Sequence, residues 1–147
     1  MNYERFLTAQ EGDFKGRTLE DIWSFSDAEI EYIHDFIQII FPLDKPSQAA
    51  FHGYYLDSDE LVRRLRNNKQ VSANLIKSAQ WFLGFLERNT YWNTRHDHNQ
   101  LRITRVIESL RLLVSDEEAD EFYAHVMDLI SDEKKINSTT LAFWARA

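Results

Sequence analysis

Apolar residues recur at the helical period along nearly the whole chain, and only two prolines and four glycines interrupt its 147 residues. The clearest run is Ile103, Val106, Ile107, Leu110, Leu113 and Val114, which share one helix face in a segment from about 97 to 114. A second run, Val71, Leu75, Ile76, Ala79, Phe82, Leu83 and Leu86, predicts an amphipathic helix over 71–87. Gly84 stands opposite that stripe, where a close helix crossing would use it. A chain this poor in turn formers cannot supply the reversals of a β-sandwich, and its 14% aromatic content argues against disorder. The pattern predicts an all-α fold, a single compact domain of about six or seven helices spanning residues 1–147.

Helix starts are written plainly. Ser26-Asp27-Ala28-Glu29 and Ser115-Asp116-Glu117-Glu118 both read as capping boxes. The first predicts a helix over 26–41 stopped by Pro42. Ile30, Ile33, Ile37, Ile40 and Phe41 form one of its faces, and Tyr32, Phe36 and Ile39 another, so this helix is expected at the centre of the fold. The second box predicts a helix over 116–131, packed outside the core with an acidic outer face. Asp57 or Ser58 starts a helix that ends near Asn67, and a short last helix is expected to anchor through Leu141, Phe143 and Trp144.

Charge and cysteine usage exclude several functions. Lysine and arginine number 17 against 24 acidic residues, a net charge of −7, which opposes general binding to nucleic acid. With no cysteine there is no disulfide framework, Cys-ligated zinc, iron–sulfur cluster or thiol nucleophile. The start of the chain has no secretory signal pattern, and no apolar run approaches the ~18 residues of a membrane span, so a cytoplasmic location is expected. No Gly-rich phosphate loop or nucleophile elbow is present. No catalytic residue is assigned, and neither a metal nor a cofactor is expected.

Two polar stripes flank these apolar faces. Glu31, His34, Asp35 and Gln38 follow one another at i, i+3, i+4 and i+7, and His98, Arg102, Arg105 and Ser109 form the other, with Asn99 projecting onto the apolar face beside it. Guanidinium forks fit carboxylates. The stripes are therefore expected either to close a structural ion-pair network or to line a pocket for a small ligand or peptide terminus, unless one of them is simply exposed. A different class of reading rests on the His-Asp pairs. His52, His96, Asp97 and one of Asp116, Asp120 or Asp128 could be cast as ligands in a metal-dependent hydrolase. The basic group Arg63, Arg64, Arg66 and Lys69 reads as a solvated helix face.

The stretch Glu29 to Pro42, EIEYIHDFIQIIFP, resembles the signature of the opioid growth factor receptor conserved domain family. His98-Asn99 with Arg102-Ile103-Thr104-Arg105 and Ser109-Leu110 resembles a second family motif. Gly16-Arg17-Thr18-Leu19, Trp81-Phe82-Leu83-Gly84 and Phe143-Trp144 follow in register. Ile39 stands where the family often has Trp, and the loop from Leu43 to Gly53 departs from the family's polar, proline-containing loop. The resemblance is to the conserved domain alone, a minimal form such as a bacterial member would carry. It implies an all-helical, non-catalytic binding or interaction module with a protein or peptide partner, the family's activity being opioid-peptide binding, with membrane association in some members. The residues it carries over are His34, Asp35, Gln38, His98, Asn99, Arg102 and Arg105. With Glu31 they form the candidate ligand-binding or structural polar network.

Overall fold

The computed structural model describes residues 1–47, 53–130 and 135–147. Among these residues there are nine α-helices, one 3₁₀ turn and no strand. The helices are α1 (Tyr3–Leu7), α2 (Leu19–Trp23), α3 (Asp27–Tyr32), α4 (Ile37–Ile40), α5 (Asp59–Arg66), α6 (Lys69–Arg88), α7 (His98–Leu113), α8 (Asp116–Leu129) and α9 (Ser138–Arg146), with the 3₁₀ turn at Thr90–Trp92.

Side-chain caps set most of these starts. Ser26 Oγ accepts from the Glu29 amide while Glu29 accepts from the Ser26 amide, the reciprocal box expected for α3. Thr18 and Asp21 make the same pair of bonds at α2. Ser58, Asn68, Asp97 and Ser115 each accept from an amide in the first turn of α5, α6, α7 and α8.

The helix expected over 26–41 is two short helices, which in part lifts the count above six or seven. Ile33 leaves the helical region at φ −89°, ψ 127°, and Phe36 re-enters it. Packing of Phe36 and donors from α7 set the break. Phe36 is fully buried, edge-on to Phe25 at 5.4 Å and to Trp81 at 6.0 Å. The break lets every residue of α4 be buried and turns Tyr32, expected on an inward face, out to 78% exposure.

The core is centred on α7, which packs most extensively against α8 and also against α5, α6 and α9. Ile103, Val106, Ile107, Leu110 and Leu113 are all buried, as their spacing requires. Gly84 marks no helix crossing: a Cβ there would meet only the flexible Arg88 guanidinium, at 3.0 Å. Trp144 anchors α9, donating its indole N–H to the Gln100 carbonyl at 3.0 Å beside Trp92. Phe143, expected as a second anchor, is 51% exposed, because α9 sets only its Trp144 face against α7.

Candidate functional site

The site is built from what the break between α3 and α4 leaves unsatisfied. A helix end presents carbonyls with no intrahelical partner, and two such ends plus the turn between them lie within Ile30–Pro42. Arg102 donates to the Ile30 carbonyl at 2.6 Å and to Ile33 at 2.9 Å. One turn further along α7, Arg105 donates to Phe41 at 2.9 Å and to Gln38 at 3.3 Å. Ser109 Oγ donates to Pro42 at 2.9 Å. The i, i+3, i+7 spacing of these donors places them along one side of α7, and they read the backbone of the broken segment in order. The Arg102 guanidinium also lies over the Phe36 ring at 5.3 Å. Neither arginine donates to Glu31 or Asp35, so the direct guanidinium–carboxylate pairing between the stripes does not form.

Asp35 is held from the other side. Gly12 approaches the Gly16 backbone so closely that a Cβ would fall 2.6 Å from it, and Gly16 adopts φ +80°. In the loop so formed, the buried Asp13 accepts from the amides of Lys15 and Arg17 and from the Arg17 guanidinium. Arg17, thus aimed, donates to the Asp35 carboxylate at 2.8 Å and to the Asp35 carbonyl at 3.2 Å, and Lys15 pairs with the same carboxylate. Burial would raise the Asp35 pKa, but the bonds and charges of Lys15 and Arg17 hold it below the ordinary range. Six carbonyls between Ile30 and Pro42 are thereby satisfied by Arg17, Arg102, Arg105 and Ser109. Periodicity gave Arg17 no role, because it sits in a loop; the Gly-Arg-Thr-Leu motif was its only signal.

Glu31 forms a separate centre. One carboxylate oxygen accepts from the Tyr91 hydroxyl at 2.5 Å and from Asn99 Nδ2 at 3.1 Å, and the other faces His98 Nε2 at 2.9 Å. Burial opposes its ionisation, yet these donors and the nearby Arg102 charge hold its pKa below the ordinary range. Burial, and then Glu31, raise that of Tyr91. His34 stands edge-on to His98, ring centroids 5.4 Å apart, and burial with the charges of Arg102 and His98 lowers its pKa. Burial lowers the Arg102 pKa too, and brings that of Arg105 to about 10. Gln38 is buried, and its Oε1 has no hydrogen-bond partner among the described residues.

Polar side chains remain accessible there, His34, Arg95, His96 and His98, and so do large aromatic and apolar ones. Tyr32, Tyr91, Leu101 and Phe143 are 78, 48, 72 and 51% exposed, and all lie around the N-terminal end of α7. Beside them a cavity of about 440 Å³ is lined by His96, Asp97, His98, Leu101, Thr104 and Phe143, among others.

Among the described residues the hydrolase set is not assembled. Asp97 caps α7 and accepts from the Asn99 amide, whereas Asp116 and Asp120 accept from Arg111. Thirteen residues of α7 separate His98 from Arg111, about 20 Å at 1.5 Å per residue. Asp128 is exposed near the far end of α8, and His52 lies outside the described residues. Among the described residues no three His, Asp or Glu side chains are grouped to hold a metal ion. No helix is long and apolar enough to cross a membrane, among the same residues.

No family profile matches the chain, and no solved structure matches it. Two curated proteins do. The opioid growth factor receptor of Mus musculus is 32% identical over 116 residues, covering 65% of this chain and 18% of the mouse protein. That of Rattus norvegicus is 31% identical over 116 residues, covering 65% of this chain and 20% of the rat protein. The chain thus spans about a fifth of the length of the curated relatives it matches. Over those residues the chain is similar to a part of the opioid growth factor receptor.

Proposed function

We propose that residues 1–147 act as a non-catalytic binding module that takes a peptide or protein partner in the cytoplasm. The observation that carries this reading is a division of labour. Arg102, Arg105 and Asp35 are spent on backbone carbonyls and on loop cations, while four large apolar or aromatic side chains stay exposed around the end of α7. A contiguous exposed apolar patch beside a concave surface is the usual mark of an interaction site. The name of the mouse and rat relatives, receptors for an opioid growth factor, supports a peptide ligand. In this reading Glu31, His98 and Asn99 fix the floor of the site, and Tyr32, Tyr91, Leu101 and Phe143 supply the contacts.

The test is an NMR titration of the chain with an enkephalin-type pentapeptide and a panel of unrelated apolar peptides. Shift changes centred on Tyr32, Tyr91, Leu101 and Phe143, lost in Leu101→Asp, support the reading. Shift changes that spare these four residues, or none with any peptide, overturn it.

A further inference from the structure

Phe143 also lines a second cavity, of about 640 Å³, with Leu43, Lys45, Arg66, Leu112 and Arg146. Leu101, Thr104, Glu108, Arg111 and Leu112 fall within about 100° of one another on α7, on the side next to the carbonyl-reading one. The two cavities therefore follow one another along this side of α7 and meet at Phe143, together making a groove with α9 as one wall. From Asp97 to Arg111 it runs about 20 Å, the span of about six extended residues.

Charge changes along this groove. Its first part has Asp97 beside His96 and His98. Its second part gathers Lys45, Arg66, Arg111 and Arg146 in a chain whose net charge is −7. Lys45 pairs with Glu108, and Arg111 with Asp116 and Asp120. Arg66 donates to the carbonyls of Arg111 and Leu112, and the Arg146 guanidinium lies over the Phe143 ring at 5.0 Å. Neither Arg66 nor Arg146 has a carboxylate partner among the described residues. Asp44 also lines that end, with no cation partner among the described residues, as does Ala147, whose oxygen accepts from Arg111 at 2.7 Å.

Resting on the binding-module reading above, we infer that the occupant of this groove is an extended peptide segment of a partner protein, with apolar side chains against Leu101 and Phe143 and acidic residues at Arg66 and Arg146. Apolar contact supplies attachment, and the paired charges set direction and selectivity.

Two fluorescent decapeptides test this by anisotropy with the full chain. They share an apolar half and carry either a glutamate or a lysine tail. The glutamate peptide should bind about tenfold tighter at low salt, with the advantage shrinking as salt rises. Arg146→Glu, an exposed change, should remove or invert that preference, and Leu101→Asp should abolish binding of both peptides. Equal affinity for the two tails with Leu101→Asp still inactive overturns the charge-graded groove and leaves the binding-module reading standing. A preference that Arg146→Glu leaves unchanged also overturns the groove. Failure of the wild-type chain to bind either peptide overturns the groove and, if the titration above is also blank, the module.

Discussion

The Arg102 guanidinium donates to the Ile30 carbonyl at 2.6 Å, across 72 residues of chain. Ile30 belongs to the last full turn of α3, whose carbonyls have no intrahelical partner. A fork that reaches Ile30 and Ile33 together both ends α3 and sets where the chain turns toward α4. Arg105 repeats the arrangement at the end of α4. The two-arginine motif is thus a device for holding a broken helix against α7.

Acid should unfold the protein in two stages. His34 has a pKa below the ordinary 6.5, so its contribution is complete above that value and is lost as pH falls through the lowered one. Glu31 and Asp35 are held below 4.5 and 3.8, so theirs is present above those values and is lost as pH falls through the depressed ones. Stability measured by urea at each pH should decline gently as pH falls below 6.5 and steeply below 4.5. His34→Gln should flatten the first stage only. A wild-type curve without that early decline contradicts the lowered His34 pKa.

Glu31→Gln should move the ionisation of Tyr91 downward, since the carboxylate's hydrogen bond and charge add to burial in raising it. Following the Tyr91 ring carbon by NMR against pH isolates it from the other tyrosines. An unchanged titration would show that burial alone sets it.

Two glycines should respond in opposite directions to alanine. Gly84→Ala adds helix propensity within α6, and its Cβ meets only the mobile end of Arg88, so a gain of up to about 1 kcal/mol is expected. Gly12→Ala drives a methyl group to within 2.6 Å of the Gly16 backbone, which cannot move without disturbing Asp13 and Arg17. It should cost about 1–3 kcal/mol. Thermal melts of both variants decide it.

The helices α6 and α7 were legible from their apolar period alone, Val71–Leu86 and Ile103–Leu113, and in α8 period and cap agree, Ser115 with Ala119–Val126, while the caps Asn68 and Asp97 emerged only in the structure. The break at Ile33–Phe36 was not. Helical period continues through EIEYIHDFIQIIF, and what interrupts it, the burial of Phe36 and the guanidinium forks of α7, comes from 45 to 70 residues away. For the same reason the stripes were visible as stripes, while their partners were not. A guanidinium that seeks backbone carbonyls looks identical in sequence to one that seeks carboxylates. Arg17 and Tyr91, both off the regular helices, carried no periodic signal.

Urea denaturation of Arg102→Lys beside Arg102→Ala tests the central claim most directly. Lysine keeps the charge but lacks the fork that spans Ile30 and Ile33, so both variants should lose about 2–4 kcal/mol, the cost of buried carbonyls left without a donor. A lysine variant as stable as the wild type would contradict the account, because it would mean that charge rather than the two-carbonyl geometry holds α3 against α7.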